Sequence, residues 1–209
     1  MPGLPSDARV LTVHVDAVGF DHDAWLSEAE KERARSFGSP KRVRQFVAGR
    51  VAARHLLADF LAVDPRSVSL KVRPDGSVDV GEDGAGLALS IAHSGSVAAV
   101  AARNGPIGVD VEHIRPRRAD LFRFVLAAEE YPLLDAMPVE RNEAVILCWS
   151  IKEAVLKGRR SGLRMSPKRL RLSIDFDGGM ASVLSPDGEW SVGFVRVRDY
   201  VVSVAWTDG

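Results

Sequence analysis

Hydrophobic positions along the chain repeat either every second residue, as in half-buried strands, or every three to four residues, as in amphipathic helices. The period of two predicts strands over residues 10–15, 68–72, 88–92, 97–102, 107–112, 170–174, 190–197 and 200–206. The helical period predicts long helices over residues 40–62 and 139–157 and shorter helical stretches over residues 27–37, 119–126 and 129–136. Because a strand, helical segments and further strands occur twice in this order, we predict two halves, residues 1–105 and 106–209.

Several residues mark where these helices begin and end. Ser27 followed by Glu30 has the spacing of a capping box, so we expect Ser27 to be an N-cap. Pro40 is suited to the first helical position of the first long helix. Gly158 is predicted as the residue just beyond the second long helix, where a left-handed conformation is common.

The composition narrows the functional classes. The chain has 28 basic and 28 acidic residues, so we expect no nucleic-acid partner and no binding to polyanions by the molecule as a whole. The one cysteine, Cys148, rules out an internal disulfide and favours a reducing compartment. The first residues lack the pattern of a signal peptide, and no apolar run approaches the roughly 18 residues of a membrane helix, so we expect a cytoplasmic protein without a membrane partner.

The predicted strand IGVDVE, residues 107–112, contains the first candidate site. Its period of two places Gly108, Asp110 and Glu112 on one face. Two neighbouring carboxylates repel each other, and a divalent cation with a preference for oxygen ligands, such as Mg²⁺, would remove that repulsion. The competing interpretation is a solvated strand end whose acids face water or pair with arginines in residues 115–118.

The predicted helix segment WSIKEAVLK, residues 149–157, contains the second candidate site. Trp149, Glu153 and Lys157 are spaced four residues apart and share one helix face. Glu153 and Lys157 would form an ordinary surface ion pair if the helix stood alone. If Glu153 lies beside the carboxylates of IGVDVE, it completes a metal site, and Lys157 reaches the same bound phosphates.

Two further features could bind an anion. Only Glu32 interrupts a run of basic residues that comprises Lys31, Arg33, Arg35, Lys41, Arg42, Arg44, Arg50 and Arg54. Lys41 and Arg42 lie in the predicted first turn of a helix, where positive charge is unfavourable unless an anion binds. His93 lies at a predicted strand end before a tight turn. A solvated helix face and a structural histidine are the competing interpretations.

These motifs together resemble the 4′-phosphopantetheinyl transferases of the surfactin-synthetase type. The signature motifs of that family are matched at every patterned position by residues 107–112 and 149–157. A third motif is matched by Ser90, His93, Ser94 and Gly95, with Ala92 in place of a serine. A fourth, of arginine, phenylalanine and arginine, is matched by Arg42, Phe46 and Arg50.

The resemblance implies a fold, a reaction and a partner. The fold is α+β, with two similar α/β halves packed together and the active site in the cleft between them. Residues of the first half would bind the 3′-phosphate and adenosine of coenzyme A. The second half would contain the metal-binding and catalytic residues. The reaction transfers the phosphopantetheine arm of coenzyme A to a serine of an apo acyl or peptidyl carrier protein, releasing adenosine 3′,5′-bisphosphate. Because each chain holds both halves of one site, we expect a monomer.

The resemblance also implies roles for single residues. Mg²⁺ would be held by Asp110, Glu112 and Glu153. The base that accepts the serine proton is either Glu153 or a water on the metal, and Lys157 would stabilise or protonate the leaving phosphate. Catalytic roles therefore fall to Asp110, Glu153 and Lys157. The coenzyme A contacts implied are Arg42, Arg50, Gly76, His93, Asp110 and Lys157.

One departure from the family pattern concerns a Gly-Lys-Pro turn. Here the turn is Gly76, Ser77 and Val78, and the lysine is missing. Either Lys71 or Arg73 replaces it, or coenzyme A binds more weakly. The departure keeps open the alternative of a non-catalytic module that binds coenzyme A or a carrier protein. Fatty-acid, polyketide and nonribosomal-peptide carriers, the last two typical of secondary metabolite biosynthesis, all remain open as partners.

Overall fold

A computed structural model describes residues 1–17, 24–73, 76–84, 86–118, 120–161 and 164–208. It is built from helices and antiparallel sheets that fall into two compact units. One unit is Asp7–Asn104, and the other combines Met1–Ser6 with Gly105–Gly209. Among the described residues, no helix has both the length and the apolar character needed to cross a membrane. The predicted division into residues 1–105 and 106–209 stays a prediction.

The unit Asp7–Asn104 is built around one long helix on a small sheet. Its helices are α1 (Glu28–Arg35) and α2 (Pro40–Leu61), and its strands are β1 (Arg9–His14), β2 (Leu70–Val72), β3 (Val78–Val80), β4 (Leu87–Ser94) and β5 (Val97–Asn104). The antiparallel sheet has the order β1-β5-β4, and β2 pairs with β3 separately. Helix α2 packs across the three-stranded sheet, and the alanines and valine at 98–102 of β5 are fully buried.

A buried cluster of ion pairs connects helix α1 to helix α2. Ser27 accepts a hydrogen bond from the Glu30 amide, and Glu30 accepts one from the Ser27 amide, which confirms the predicted capping box. The Glu30 carboxylate is also buried, and Arg54 Nη2 donates to its Oε2 at 2.7 Å. Arg50 Nε lies 3.1 Å from Glu30 Oε1, without hydrogen-bond geometry. The basic run is therefore partly internal rather than a uniform surface face.

The unit that contains Gly105–Gly209 repeats the plan of a long helix on an antiparallel sheet. Its strands are β6 (Ile107–His113), β7 (Arg171–Asp175), β8 (Met180–Ser185), β9 (Gly188–Val197) and β10 (Tyr200–Trp206), in the order β6-β10-β9-β8-β7. Its helices are α3 (Leu121–Val125), α4 (Pro132–Ala136) and α5 (Arg141–Gly158). Helix α5 packs on β6, β10 and β9, and its buried residues form most of the core with those strands.

The α+β class with two sheet-rich halves is confirmed. Both long helices occur close to their predicted bounds, whereas the helical stretch over 129–136 is a 3-10 turn followed by α4. Residue 119, the predicted start of another helical stretch, lies outside the described residues. The prediction for Gly158 was wrong: it is the last residue of α5, and the left-handed residue after the helix is Arg160, with φ of 55°.

Candidate active site

Gly108 determines how closely α5 approaches β6. A Cβ atom at this position would fall on the carbonyl oxygen of Ala154 and the amide nitrogen of Gly158. At Gly158 a Cβ would meet the Trp190 ring at 2.5 Å and the Gly108 nitrogen at 3.1 Å. The two glycines therefore let backbone rest directly on backbone. As a result, the strand face that carries Asp110 lies against the helix that carries Glu153 and Lys157.

Asp110 is the innermost acid of this face, with a relative exposure of 4%. Lys157 Nζ donates to its Oδ1 at 2.6 Å, across the join between helix and strand. The other oxygen, Oδ2, is buried without a hydrogen-bond partner among the described residues. A buried carboxylate oxygen that lacks a donor is costly, so this atom is available to a ligand.

Glu153 presents a second buried oxygen of the same kind. Its Oε1 also lacks a hydrogen-bond partner among the residues that the structure describes. Burial raises the pKa of Glu153, Lys157 opposes the rise, and the negative charges of Asp110 and Glu112 add to it. The charges of Asp110, Glu112 and Lys157 therefore all act on the Glu153 carboxylate.

Glu112 is held differently from the other two acids. Trp149 Nε1 donates to its Oε1 at 3.0 Å, and Arg117 Nη2 donates to its Oε2 at 2.5 Å. Asn142 Oδ1 in turn accepts from the Arg117 amide at 3.1 Å, which ties the loop after β6 to the start of α5. Trp149 and Arg117 orient this carboxylate, so the interpretation of Glu112 as an arginine partner describes a contact that it makes, and its role as a metal ligand stays a prediction.

The donor set fits a divalent cation with oxygen ligands. Asp110 Oδ2 and Glu153 Oε1 are buried, lack partners and belong to the ligand type that Mg²⁺ prefers. Within the described part of the chain, however, no group of three or more His, Cys, Asp or Glu side chains stands ready to hold a metal. Lys157 and Arg117 occupy one oxygen each of Asp110 and Glu112.

Lys152 has a structural position that its motif did not reveal. Its side chain is fully buried and donates to Glu130 Oε2 at 2.7 Å and to the Val125 carbonyl at 3.0 Å. Burial lowers the pKa of Lys152, and the Glu130 carboxylate opposes that change. Glu130 also accepts hydrogen bonds from the amides of Ala127 and Leu172, both at 2.9 Å. This cluster joins α5, the turn after α3 and β7 next to Glu153.

The basic residues predicted to bind coenzyme A differ in accessibility. Arg42 is exposed near the start of α2, with its guanidinium 5.4 Å from the centre of the Phe37 ring. Arg50 is buried, paired with Glu30 and stacked 4.6 Å from the Phe46 ring centre. Its burial lowers its pKa, although Glu30 opposes the shift. Of the two, Arg42 is presented to solvent.

His93 and Gly76 both lie in exposed parts of the same unit. His93 is exposed near the end of β4, and the Gly95 carbonyl in the following turn accepts from Gln45 Nε2 of α2 at 2.8 Å. Gly76 has a φ of 85° and turns the chain between β2 and β3. The proposed substitutes for the missing lysine have partners of their own: Lys71 Nζ lies 3.5 Å from Glu82 Oε1, and Arg73 pairs with Asp79.

Comparison with known proteins identifies the family. The model of the 4′-phosphopantetheinyl transferase superfamily matches residues 106–205, which include every residue of the carboxylate and lysine cluster. The 4′-phosphopantetheinyl transferase psf-1 of Bacillus pumilus is 30% identical over 168 residues, which are 79% of this chain and 70% of that protein. The chain belongs to the 4′-phosphopantetheinyl transferase superfamily.

Other members of the superfamily align with most of this chain. The transferase HetI of a Nostoc species is 33% identical over 68% of this chain, and the chain spans 63% of that protein's length, slightly under two thirds. The Sfp protein of Bacillus subtilis is 28% identical over 81% of this chain and 80% of its own length. Because these relatives are named as transferases, the alternative of a non-catalytic binding module is not favoured.

Proposed function

We propose that this superfamily member transfers the 4′-phosphopantetheine arm of coenzyme A to a serine of an apo acyl or peptidyl carrier protein. The serine oxygen forms a bond to the phosphorus of the pantetheine phosphate. The bond from that phosphorus to the bridging pyrophosphate oxygen breaks, and adenosine 3′,5′-bisphosphate leaves with the electron pair. The proton of the serine must reach a base, and ultimately the leaving phosphate or solvent.

The pair of partnerless buried oxygens, Asp110 Oδ2 and Glu153 Oε1, carries this proposal. Two uncompensated carboxylate oxygens in one buried place suit a reaction whose substrate brings a cation with its phosphates. Asp110, Glu112 and Glu153 are the residues that would hold Mg²⁺, and the ion would neutralise charge on the pyrophosphate. For Glu112 to serve, the contact with Arg117 or the one with Trp149 has to loosen.

Glu153 and Lys157 supply the proton chemistry in this proposal. Burial raises the pKa of Glu153, which makes its carboxylate a better proton acceptor than an exposed glutamate. The serine proton passes to Glu153 directly or through one water. Lys157 is three-tenths exposed and reaches Asp110 from the end of α5, so its ammonium group can turn from Asp110 to the leaving phosphate.

Arg42 and His93 are the side chains that we propose for the 3′-phosphate and adenosine end of coenzyme A. Both are exposed, and Gln45 fastens the turn after His93 to the helix of Arg42. Arg50 supports Phe46 and Glu30 from within, so its contribution to coenzyme A binding is indirect. Gly76 provides the turn in which backbone replaces the missing lysine. We further propose a monomer that works in the cytoplasm; light scattering tests the monomeric state.

The decisive test is intact mass spectrometry of apo fatty-acid, polyketide and nonribosomal-peptide carriers incubated with the protein and coenzyme A, with and without magnesium. We expect a magnesium-dependent mass gain of one phosphopantetheine arm on at least one carrier. Asp110→Ala and Glu153→Ala should reduce loading at least a hundredfold. Glu140→Ala, an exposed glutamate just before α5, is the matched control and should load normally.

A second measurement tests metal binding separately from the transfer reaction. Titration calorimetry of the wild-type protein with MgCl₂ should detect binding that Asp110→Ala and Glu153→Ala lose and Glu140→Ala retains. Normal loading by either cluster variant would refute the assignment of these acids. Coenzyme A binding without loading of any carrier would refute the transferase proposal.

A further inference from the structure

The stretch that follows α5 concentrates positive charge in a chain whose formal net charge is zero. Between Glu153 and Asp175 the sequence contains no acidic residue, and its basic residues are Lys157, Arg159, Arg160, Arg164, Lys168, Arg169 and Arg171. We call the exposed residues Arg164, Lys168 and Arg169 the basic patch. The carboxylate and lysine cluster of the active site uses none of these three.

The fold directs the basic patch outward. Met165, Pro167 and Leu170 are buried and alternate with the exposed patch residues. The 3-10 turn Pro167–Arg169 is capped by Ser166, whose side chain accepts from the Lys168 amide. Buried apolar neighbours and a capped turn hold the backbone from which the exposed patch side chains project.

Among the described residues, no carboxylate forms an ion pair that would neutralise the charge of the basic patch. Arg171 pairs with Glu129 at 3.1 Å and Arg159 pairs with Asp187, but no described carboxylate forms an ion pair with the patch residues. Among the described residues, Arg164 donates to the carbonyls of Ser161 and Arg160 alone. Partial burial lowers the pKa of Arg159, and the charge of Arg169 lowers it further. Like charges held together in this way repel unless an anionic surface approaches.

The basic patch lies next to α5, the helix of the same unit that carries candidate active-site residues. The turn Pro167–Arg169 packs against α5 and α3, and α5 carries Glu153 and Lys157. We propose that the basic patch binds an acidic surface of the carrier protein and so brings the serine-bearing protein to the active site. This inference rests on the proposed function for the identity of the partner. A protein is favoured over a nucleic acid because no aromatic residue lies within residues 164–171 for base stacking.

Charge reversal tests the inference. The variant Arg164→Glu/Lys168→Glu is compared with Arg66→Glu/Arg198→Glu, which changes the net charge by the same amount at exposed positions outside the patch. Binding of each dye-labelled apo carrier of the panel is measured by fluorescence anisotropy without coenzyme A. At low salt we expect the Kd of the patch variant to rise about tenfold or more and that of the control less than about twofold. High salt should remove the difference, because ions screen exposed charges.

Steady-state loading provides the second readout. The patch variant should raise the KM for the carrier, while kcat and the KM for coenzyme A stay at wild-type values. Equal carrier affinity in the two variants would overturn the inference, as would patch-dependent binding of a single-stranded oligonucleotide with carrier binding unaffected. Patch-dependent carrier binding by a protein that loads no carrier would uphold the patch and refute the transferase reaction, so the two failures are distinguishable.

Discussion

Cys148 shows how burial alone decides the chemistry of a residue. It is the single cysteine, it is fully buried in α5, and burial raises the pKa of its thiol to about 12. Because the thiolate is the reactive form, we expect no labelling by a thiol reagent such as DTNB in the folded protein. In guanidinium chloride one thiol per chain should react. Rapid labelling of the native protein would contradict the buried position.

Glu153 should give the reaction a characteristic dependence on pH. Burial raises its pKa, so the carboxyl keeps its proton to higher pH than an ordinary glutamate, and the ionised form appears as the pH rises through that value. If the ionised form accepts the serine proton, kcat/KM for carrier loading should increase with pH over an acidic limb that lies above the ordinary glutamate pKa of about 4.3.

Magnesium should shift the acidic limb of the pH profile of kcat/KM. A cation favours the ionised carboxylate, so the limb should shift to lower pH as magnesium is raised from limiting to saturating. The pH profile of carrier loading at the two magnesium concentrations measures the shift. A limb that does not move would argue against Glu153 as a ligand.

Single residues were predictable where sequence spacing implies proximity and unpredictable where contact depends on the fold. Asp110 and Glu112 share a strand face, and Glu153 and Lys157 a helix face, so each pair could be predicted from periodicity. The partners of Glu130 are not predictable in this way, because Lys152 is 22 residues away and Leu172 is 42 away. The same holds for Gln45 and Gly95, which are 50 residues apart.

At the scale of elements, the packing of α5 on β6 is testable through Gly108. Gly108→Ala would place a methyl group on the helix backbone, and we expect a loss of about 1–3 kcal/mol in the free energy of unfolding. Urea denaturation measures this loss. Gly38→Ala is the matched control, because a Cβ there has nothing within 4 Å, and its unfolding midpoint should stay near that of wild type. Equal stability of the two variants would contradict the backbone contact.

The buried pair of Glu130 and Lys152 should be a major determinant of how α5 is held. Glu130→Gln leaves the ammonium group of Lys152 buried without its counter-charge, and we expect a loss of about 3–5 kcal/mol in unfolding free energy. The double variant Glu130→Gln/Lys152→Met should recover part of that loss, because it removes the uncompensated charge.

An exposed neighbour provides the control for this pair. Glu129 is exposed and pairs with Arg171 at the surface, so Glu129→Gln should leave the urea midpoint close to that of wild type. A double variant of Glu130 and Lys152 that is less stable than Glu130→Gln would show that the pair stabilises the fold beyond compensating its own charges.

Periodicity predicted the long elements better than the short ones. Helices α2 and α5 are long enough for several repeats of an apolar face, and both were predicted. Strand β8 was missed because serines interrupt the apolar positions of Met180–Ser185. Its hydrogen bonds to β7 and β9, not its own sequence, make it a strand.

At the scale of the whole molecule, magnesium should stabilise the folded chain. A cation that binds only the folded state adds about 2.7 kcal/mol when its concentration is a hundred times Kd. For a chain of this size that corresponds to a rise in Tm of roughly 5–10 °C. Differential scanning fluorimetry should show the rise in wild type and in Glu140→Ala, and not in Glu153→Ala. A rise that persists in Glu153→Ala would place the ion elsewhere.

The overall charge balance conceals how charge is distributed over the molecule. Equal numbers of acidic and basic residues argue against binding of polyanions by the whole surface. The fold nevertheless buries Arg50 and Arg54 with Glu30, and it exposes Arg164, Lys168 and Arg169 without acidic partners among the described residues. Tertiary contacts decide which charges are neutralised. The amino-acid composition carries no information about those contacts.

The contact between Gly108 and the backbone of α5 has a consequence for how this protein can vary. Main chain rests on main chain at Gly108, between the strand of Asp110 and the helix of Glu153, so this contact does not involve the side chains that fill the core behind the helix. Valine, isoleucine and leucine in that core can exchange over generations without moving the reacting groups. In a library of random variants, we therefore expect core positions of α5 to tolerate apolar exchanges more readily than position 108 tolerates any side chain.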